Sequence, residues 1–93
     1  MTAPRPVVVQ KTDSLCTDEI NFQFIVDVSD LVQTTEAELL VMDAVKIDED
    51  PALDLEQRIA GLDRLVGKAQ LLLTRAGYAC VWGDDRYTIA RAG

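Results

Sequence analysis

The sequence contains no histidine, which removes the commonest general base near neutral pH and the commonest protein ligand for metals. Without histidine, neither of the two cysteines can form the Cys–His pair of a thiol enzyme. The chain also lacks a glycine-rich phosphate loop and the nucleophile elbow of serine hydrolases. We therefore predict no catalytic residues and no cofactor, and we expect a protein that is not an enzyme.

Cysteines and long apolar runs are also scarce. Cys16 and Cys80 lie far apart in the chain, which is typical of neither a metal motif nor a redox motif. Two reduced thiols in a cytoplasm are therefore expected in preference to a disulfide. The sequence holds no apolar run of about 18 residues, and its first apolar stretch is too short for a signal peptide. These features predict a cytoplasmic protein without membrane association.

The acidic stretch at residues 48–56 is rich in possible calcium ligands, but its residues do not have the spacing of an EF-hand loop. An EF-hand loop places glycine sixth and glutamate twelfth. Counted from Asp48, those places hold Leu53 and Ile59. We expect no metal site here.

Charge is distributed unevenly along the chain, whose net charge is −7. Residues 13–56 carry thirteen acidic side chains and one basic side chain, whereas residues 57–93 carry six basic and three acidic ones. We expect a solvated acidic face that attracts the basic end of the same chain. Alternatives are attraction to a basic patch of another protein, or an acidic surface that imitates nucleic acid. The residue bias, with three lysines and one asparagine, is typical of high-GC actinobacteria and their phages.

Two segments in the first third predict strands. Residues 7–9 are a run of valines after two prolines and indicate a short strand, with residues 1–5 flexible. Residues 21–28 alternate in polarity, which predicts a strand with one buried face. The residues on that face are Phe22, Phe24, Val26 and Val28.

Residues 34–47 favour a helix, with a strand as the alternative. Thr35 and Glu38 have the spacing of a capping box, and Ala37, Leu40 and Ala44 recur at helical intervals. Several β-branched residues favour the strand.

Residues 51–76 predict a long helix. Asp50 would cap it, Pro51 would occupy its first position, and Gly77 would end it with a positive φ. Its apolar residues advance in steps of three and four and form one broad face. They are Leu55, Ile59, Leu62, Leu65, Val66, Ala69, Leu72, Leu73 and Ala76.

The opposite side of this helix predicts a self-association surface. It collects a narrow row of apolar and small residues: Leu53, Ala60, Gly67 and Leu71. A helix of 26 residues would measure ~39 Å, against a diameter of roughly 30 Å for a compact domain of this size. Because an unbroken helix would overhang its domain, we favour a homodimer over a monomer.

The C-terminal segment predicts a β-hairpin, since Gly83, Asp84 and Asp85 suit a tight turn. Tyr78, Cys80 and Trp82 would share a face with Tyr87 and Ile89. Aromatic residues dominate energetic hot spots at protein interfaces. The predicted partner-binding residues are therefore Trp82, Tyr87, Asp84 and Asp85.

Together these elements predict a single α+β domain. We expect an antiparallel sheet of about four strands in the order ββααββ, with two helices on one face. The function we favour is a small, acidic, regulatory or phage-type accessory protein that binds and modulates a host protein. One alternative is a winged-helix-like regulator that binds nucleic acid through Arg64, Lys68, Arg75 and Arg86, although two carboxylates at the hairpin tip disfavour it. Another is an acidic DNA mimic.

Overall fold

The computed structural model describes residues 6–11, 17–83 and 86–92. The predicted flexibility of residues 1–5 lies outside them. The chain is α+β, as predicted, but its described residues form three helices and three strands instead of the two helices and about four strands expected. The elements are β1 (Pro6–Lys11), α1 (Thr17–Val32), α2 (Thr35–Glu49), α3 (Leu55–Arg75), β2 (Tyr78–Trp82) and β3 (Arg86–Arg91).

The sheet is antiparallel, with the strand order β1-β3-β2. The predicted strand at residues 7–9 is confirmed within β1, and the predicted hairpin is confirmed as β2 and β3. Trp82 lies opposite Tyr87, and Cys80 lies opposite Ile89. β3 is therefore the central strand, and β1 and β2 form the two edges.

The predicted strand at residues 21–28 is wrong, because this segment lies inside α1. The alternation misled because residues four apart share a face both in a strand and in a helix. The buried apolar residues of α1 follow helical spacing: Ile20, Phe24, Ile25 and Val28. Two polar residues, Asn21 and Asp27, are buried on the same side and interrupt the apolar stripe.

α2 confirms the helix predicted at residues 34–47, but its cap lies one residue earlier than expected. Thr34 is the N-cap, and its Oγ1 accepts a hydrogen bond from the backbone N–H of Ala37 at 3.3 Å. Thr35 is the first helical residue, so the predicted capping box of Thr35 and Glu38 is wrong.

α3 begins four residues later than predicted. Asp54 is its N-cap and forms a capping box with Gln57. Asp50 instead follows the end of α2, where its Oδ1 accepts a hydrogen bond from the N–H of Ala52 at 2.9 Å. The end was predicted correctly, because Gly77 has a φ of +88° directly after the helix. No helix in the described part of the chain is long and apolar enough to cross a membrane.

The core lies between the helices and one face of the sheet. The central part of the predicted apolar face of α3 is buried, from Leu62 to Leu73. Three aromatic rings close the sheet side of the core. The ring centroid of Phe24 lies 5.0 Å from that of Trp82 and 5.1 Å from that of Tyr87, separations at which aromatic rings attract one another.

Candidate functional site

The two aromatic residues predicted to bind a partner, Trp82 and Tyr87, differ in their exposure to solvent. Tyr87 is fully buried and presents no surface to a partner. Trp82 is partly exposed at the end of β2, and its buried indole Nε1 has no hydrogen-bond partner in the described structure. Asp84 and Asp85 lie outside the described residues. Of this predicted set, only Trp82 is seen at the surface.

Tyr87 is held by a polar contact that the sequence analysis missed. Its hydroxyl donates a hydrogen bond to Oδ2 of Asp27, and the Gln23 amide donates to Oδ1 of Asp27 at 3.0 Å. Burial, and next the hydrogen bond to Asp27, raise the pKa of the Tyr87 hydroxyl far above its usual value. These three residues join α1 to the central strand, so their arrangement is structural.

Cys80 is a poor candidate for chemistry. It is a free thiol, and burial raises its pKa to about 11. Because the thiolate is the reactive form, a thiol with such a pKa is a weak nucleophile at neutral pH. Cys16 lies outside the described residues.

The outer edge of β2 has backbone groups that pair with no other described residue. Gly83 N–H donates to the carbonyl of Arg86, and Ala92 N–H donates to the carbonyl of Gly77. Since bonding direction alternates along an antiparallel strand, Ala79 and Val81 also bond to β3. The N–H and C=O groups of Tyr78, Cys80 and Trp82 therefore point away from the sheet. We call these three residues' backbone groups the β2 edge.

The two edges of the sheet differ in their protection. Proteins guard free edges with charged residues, proline or bulges. β1 has Pro6 and Lys11, and its register shifts between Pro6 and Val8. The sequence of β2, Tyr-Ala-Cys-Val-Trp, has no charged residue and no proline. The β2 edge thus lacks these means of preventing the addition of another strand.

The face of the sheet that points away from the helices is partly apolar. Thr88 on the central strand pairs with Val9 on one side and Val81 on the other. Val81 is 69% exposed and Val9 is 47% exposed. A partner at the β2 edge would cover Val81 first.

A polar groove adjoins Trp82 and encloses about 370 Å³. Asn21, Asp63 and Gln70 contribute its polar side chains. Among its described lining residues, one carboxylate and two amides without a cation offer no charge complementarity to phosphate.

The predicted self-association row is only partly as expected. Leu53 lies before α3 and is half-buried, whereas Ala60, Gly67 and Leu71 lie exposed on the helix. Leu71 is 59% exposed, and a Cβ atom added at Gly67 would meet nothing within 4 Å. α3 has 21 residues and so measures about 32 Å, close to the roughly 30 Å expected of a compact domain of this size. The length of α3 is therefore not an argument for a homodimer, and the prediction of a homodimer stays a prediction.

A second groove of about 180 Å³ lies between α2 and α3, and we call it the α2–α3 groove. Leu40, Leu71 and Leu72 supply its apolar lining, and Glu36, Lys68 and Arg75 supply its charges. Across residues 6–11, 17–83 and 86–92, none of these three charged side chains forms an ion pair. The predicted attraction between the acidic and basic parts of the chain therefore does not appear as an ion pair at this groove.

The predicted nucleic-acid residues do not lie on one element. Arg64, Lys68 and Arg75 are exposed along α3, whereas Arg86 begins β3 at the hairpin. The described residues also contain no group of three or more metal-ligating side chains that could hold a metal ion.

The chain was compared with family models, curated proteins and solved structures. No family model matches it, and neither a curated protein nor a solved structure does.

Proposed function

We propose that this chain is a non-enzymatic protein-interaction module that binds an extended segment of a partner protein along the β2 edge. The observation that carries this proposal is the unprotected edge of β2. The segment would add a strand to the sheet, a recurring mode of peptide recognition in which backbone hydrogen bonds provide affinity.

The edge offers a defined pattern of donors and acceptors. Tyr78, Cys80 and Trp82 each present one N–H and one C=O. Every second residue of an added strand would present the complementary C=O and N–H toward them. Each hydrogen bond contributes about 0.5–1.5 kcal/mol net. The strand is supported from behind, because the side chains of these residues pack against the core.

The partner segment can be described by its chemistry. One of its faces would carry apolar side chains, because Val81 is exposed beside the edge. Its net charge would be positive, because this chain carries −7 and complementary charge accelerates association. We expect a basic segment that alternates apolar and polar residues and has no proline.

The weak nucleophilicity of Cys80 and the absence of histidine support a role without catalysis. A free thiol also suits a reducing cytoplasm, where we place the protein. A regulatory or accessory role follows if the captured segment belongs to a larger host protein.

The test uses a displayed library of random dodecapeptides selected on the folded protein. We expect the selected peptides to alternate in polarity, to carry positive charge and to slow amide exchange at Tyr78, Cys80 and Trp82. Trp82 is the only tryptophan, so its fluorescence reports binding directly. Peptides that protect α3 instead, or a selection without enrichment, would overturn the proposal.

Two lysine substitutions provide a matched pair. Val81→Lys adds a charge beside the β2 edge and should weaken peptide binding, whereas Val9→Lys makes the same change on the opposite edge and should not. A semisynthetic protein joined at Cys80 can also carry an N-methyl group on the Trp82 amide. Loss of this one donor should weaken binding by about twofold to tenfold relative to the unmethylated product.

A second candidate is the nucleic-acid-binding regulator. It is favoured by the exposed Arg64, Lys68 and Arg75 on a helix that precedes a hairpin. It requires DNA binding that weakens steeply with salt, and an absence of binding at low salt would eliminate it. The acidic DNA mimic requires competition with DNA for a basic protein.

A further inference from the structure

We infer that a second copy of this chain docks on the outer surface of α2 and α3, with α2 of each copy against α3 of the other. The inference goes beyond the proposed function and does not depend on it, because the β2 edge takes no part. The surface that we call the dimer face consists of Leu39, Met42, Glu36, Asp43 and Lys46 on α2, and Ala60, Arg64, Gly67, Lys68, Leu71 and Arg75 on α3.

The apolar part of the dimer face is exposed on both helices. Leu39 and Met42 are 51% and 55% exposed, and at 100° per residue they lie opposite the buried side of α2. Leu71 lies opposite the buried side of α3 and borders the α2–α3 groove. Isolated exposed leucines need no explanation, but Leu71 lines the α2–α3 groove together with Leu40 and Leu72.

Small residues make close approach possible on α3. Ala60 and Gly67 lie within about 40° of Leu71 around the helix. A Cβ atom at Gly67 would meet nothing within 4 Å, so the space above Gly67, which also borders the polar groove beside Trp82, is open to another helix. A helix seated there could contact Leu71 and the α3 backbone together.

The charged side chains of α2 and α3 indicate which helix of a partner would pack on α3. α2 presents the exposed carboxylates Glu36 and Asp43 together with one exposed cation, Lys46, and α3 presents the exposed cations Arg64, Lys68 and Arg75. These six side chains form no ion pair with any residue in the described ranges. They are therefore available to a partner of opposite charge.

The complementary charges identify a second copy as the occupant. A twofold axis brings the same patch of both copies together, so each contact occurs twice. Pairing α3 with α3 would bring three cations against three cations, whereas the α2 face carries two carboxylates and the single cation Lys46 and is net acidic. Pairing α2 with the partner copy's α3 therefore sets a net acidic face against a basic one. Because the acidic face of α2 and the basic face of α3 belong to the same chain, a second copy supplies both complementary surfaces.

Two charge-reversed variants test the arrangement. The first carries Lys68→Glu and Arg75→Glu on α3, and the second carries Glu36→Lys and Asp43→Lys on α2. Each variant alone would oppose like charges at both contacts of the dimer. Mixed in equal amounts, they would restore opposite charges at both contacts.

Sedimentation velocity over a range of concentrations supplies the readout. We expect the wild type to approach twice its monomer mass of 10.3 kDa, and each variant alone to remain monomeric. The mixture should return to the dimer mass. Circular dichroism and thermal unfolding of each variant establish that monomers are folded, and the mixture tests the interface even if one variant is less stable.

Leu71→Asp and Leu55→Asp form the matched control. Both leucines are on α3 and expose almost the same fraction, 59% and 58%, but Leu55 lies outside the dimer face. Leu71→Asp should raise the dissociation constant by about tenfold or more, whereas Leu55→Asp should leave it unchanged.

Four results would overturn the inference. They are a wild type that stays monomeric at all concentrations, charge-reversed variants that dimerise as the wild type does, a mixture that stays monomeric, and equal effects of Leu71→Asp and Leu55→Asp. A dimer that Val81→Lys dissociates would assign self-association to the β2 edge instead.

Discussion

Tyr87 on the central strand donates a buried hydrogen bond to Asp27 on α1. This contact joins the sheet to a helix across 60 positions of sequence. Asp27 also accepts from Gln23, so both of its carboxylate oxygens are satisfied. The contact orients the hairpin, and with it the β2 edge, relative to the helices.

Removing the Tyr87 hydroxyl should destabilise the fold. Tyr87→Phe leaves one buried oxygen of Asp27 without its donor, which costs about 1–3 kcal/mol. Urea unfolding measures the loss of free energy. Tyr78→Phe is the control, because Tyr78 is only half-buried and its ring lies near the guanidinium of Arg91; it should change stability by less than about 0.5 kcal/mol. Equal effects of the two substitutions would contradict the role of Asp27.

Stability should decline at alkaline pH. The folded-state pKa of Cys80 is raised from 9.0 to about 11, and that of Tyr87 is raised as well. Groups with raised folded pKa values stabilise the protein fully below their unfolded pKa, and the contribution is lost as pH rises above it. Urea unfolding between about pH 7 and pH 11 should show the decline. Tyr87→Phe removes one of the two groups, so its decline should be shallower, and a stability that rises with pH would refute the explanation.

Two neighbouring threonines should differ in their effect on α2. Thr34→Ala removes the N-cap acceptor for Ala37 and should cost about 0.5–2 kcal/mol. Thr35→Ala, one position later and exposed, should cost far less. Thermal unfolding of both variants measures the difference. The opposite ranking would support the cap position that the sequence alone suggests.

The core of α3 should be sensitive to truncation. Leu62 is fully buried, so Leu62→Ala should cost about 2–5 kcal/mol through lost contacts and a cavity. Leu55→Ala, on the same helix but mostly exposed, is the control and should stay within about 0.5 kcal/mol. Similar losses at the two positions would mean that this part of α3 is not packed as described.

The sequence alone predicted the elements whose local signals agree. The apolar spacing of α3 and the position of Gly77 both indicated one helix and its end, and the hairpin had turn residues between two apolar runs. The α+β class and a strand at residues 7–9 followed from similar local patterns.

α1 could not be assigned by alternation, because Phe24 and Val28 fit both periods. The helical signal becomes visible only when Ile20 and Leu31 are included, since they continue the spacing beyond residues 21–28. The burial of Asp27 was not predicted, because its partner, Tyr87, is distant in sequence. The start of α3 was missed because Asp50 and Asp54 are equally good caps, and the turn at Asp50 depends on how α2 ends.

The candidate site was predicted less well than the fold. Trp82 was predicted as a contact residue and lies partly exposed, whereas Tyr87, predicted with it, is buried. The unpaired groups of the β2 edge are backbone atoms, and their exposure depends on β1 pairing with β3 rather than with β2. The order of strands that are distant in sequence cannot be predicted from local sequence patterns.

Amide hydrogen exchange of Cys80 and Val81 in the isolated protein tests the open edge most directly. The Val81 N–H bonds within the sheet, whereas the Cys80 N–H points outward. We predict that Cys80 exchanges much faster than Val81 and becomes protected when a selected peptide binds. Equal protection of both amides in the isolated protein would contradict the account, because the β2 edge would then already be covered.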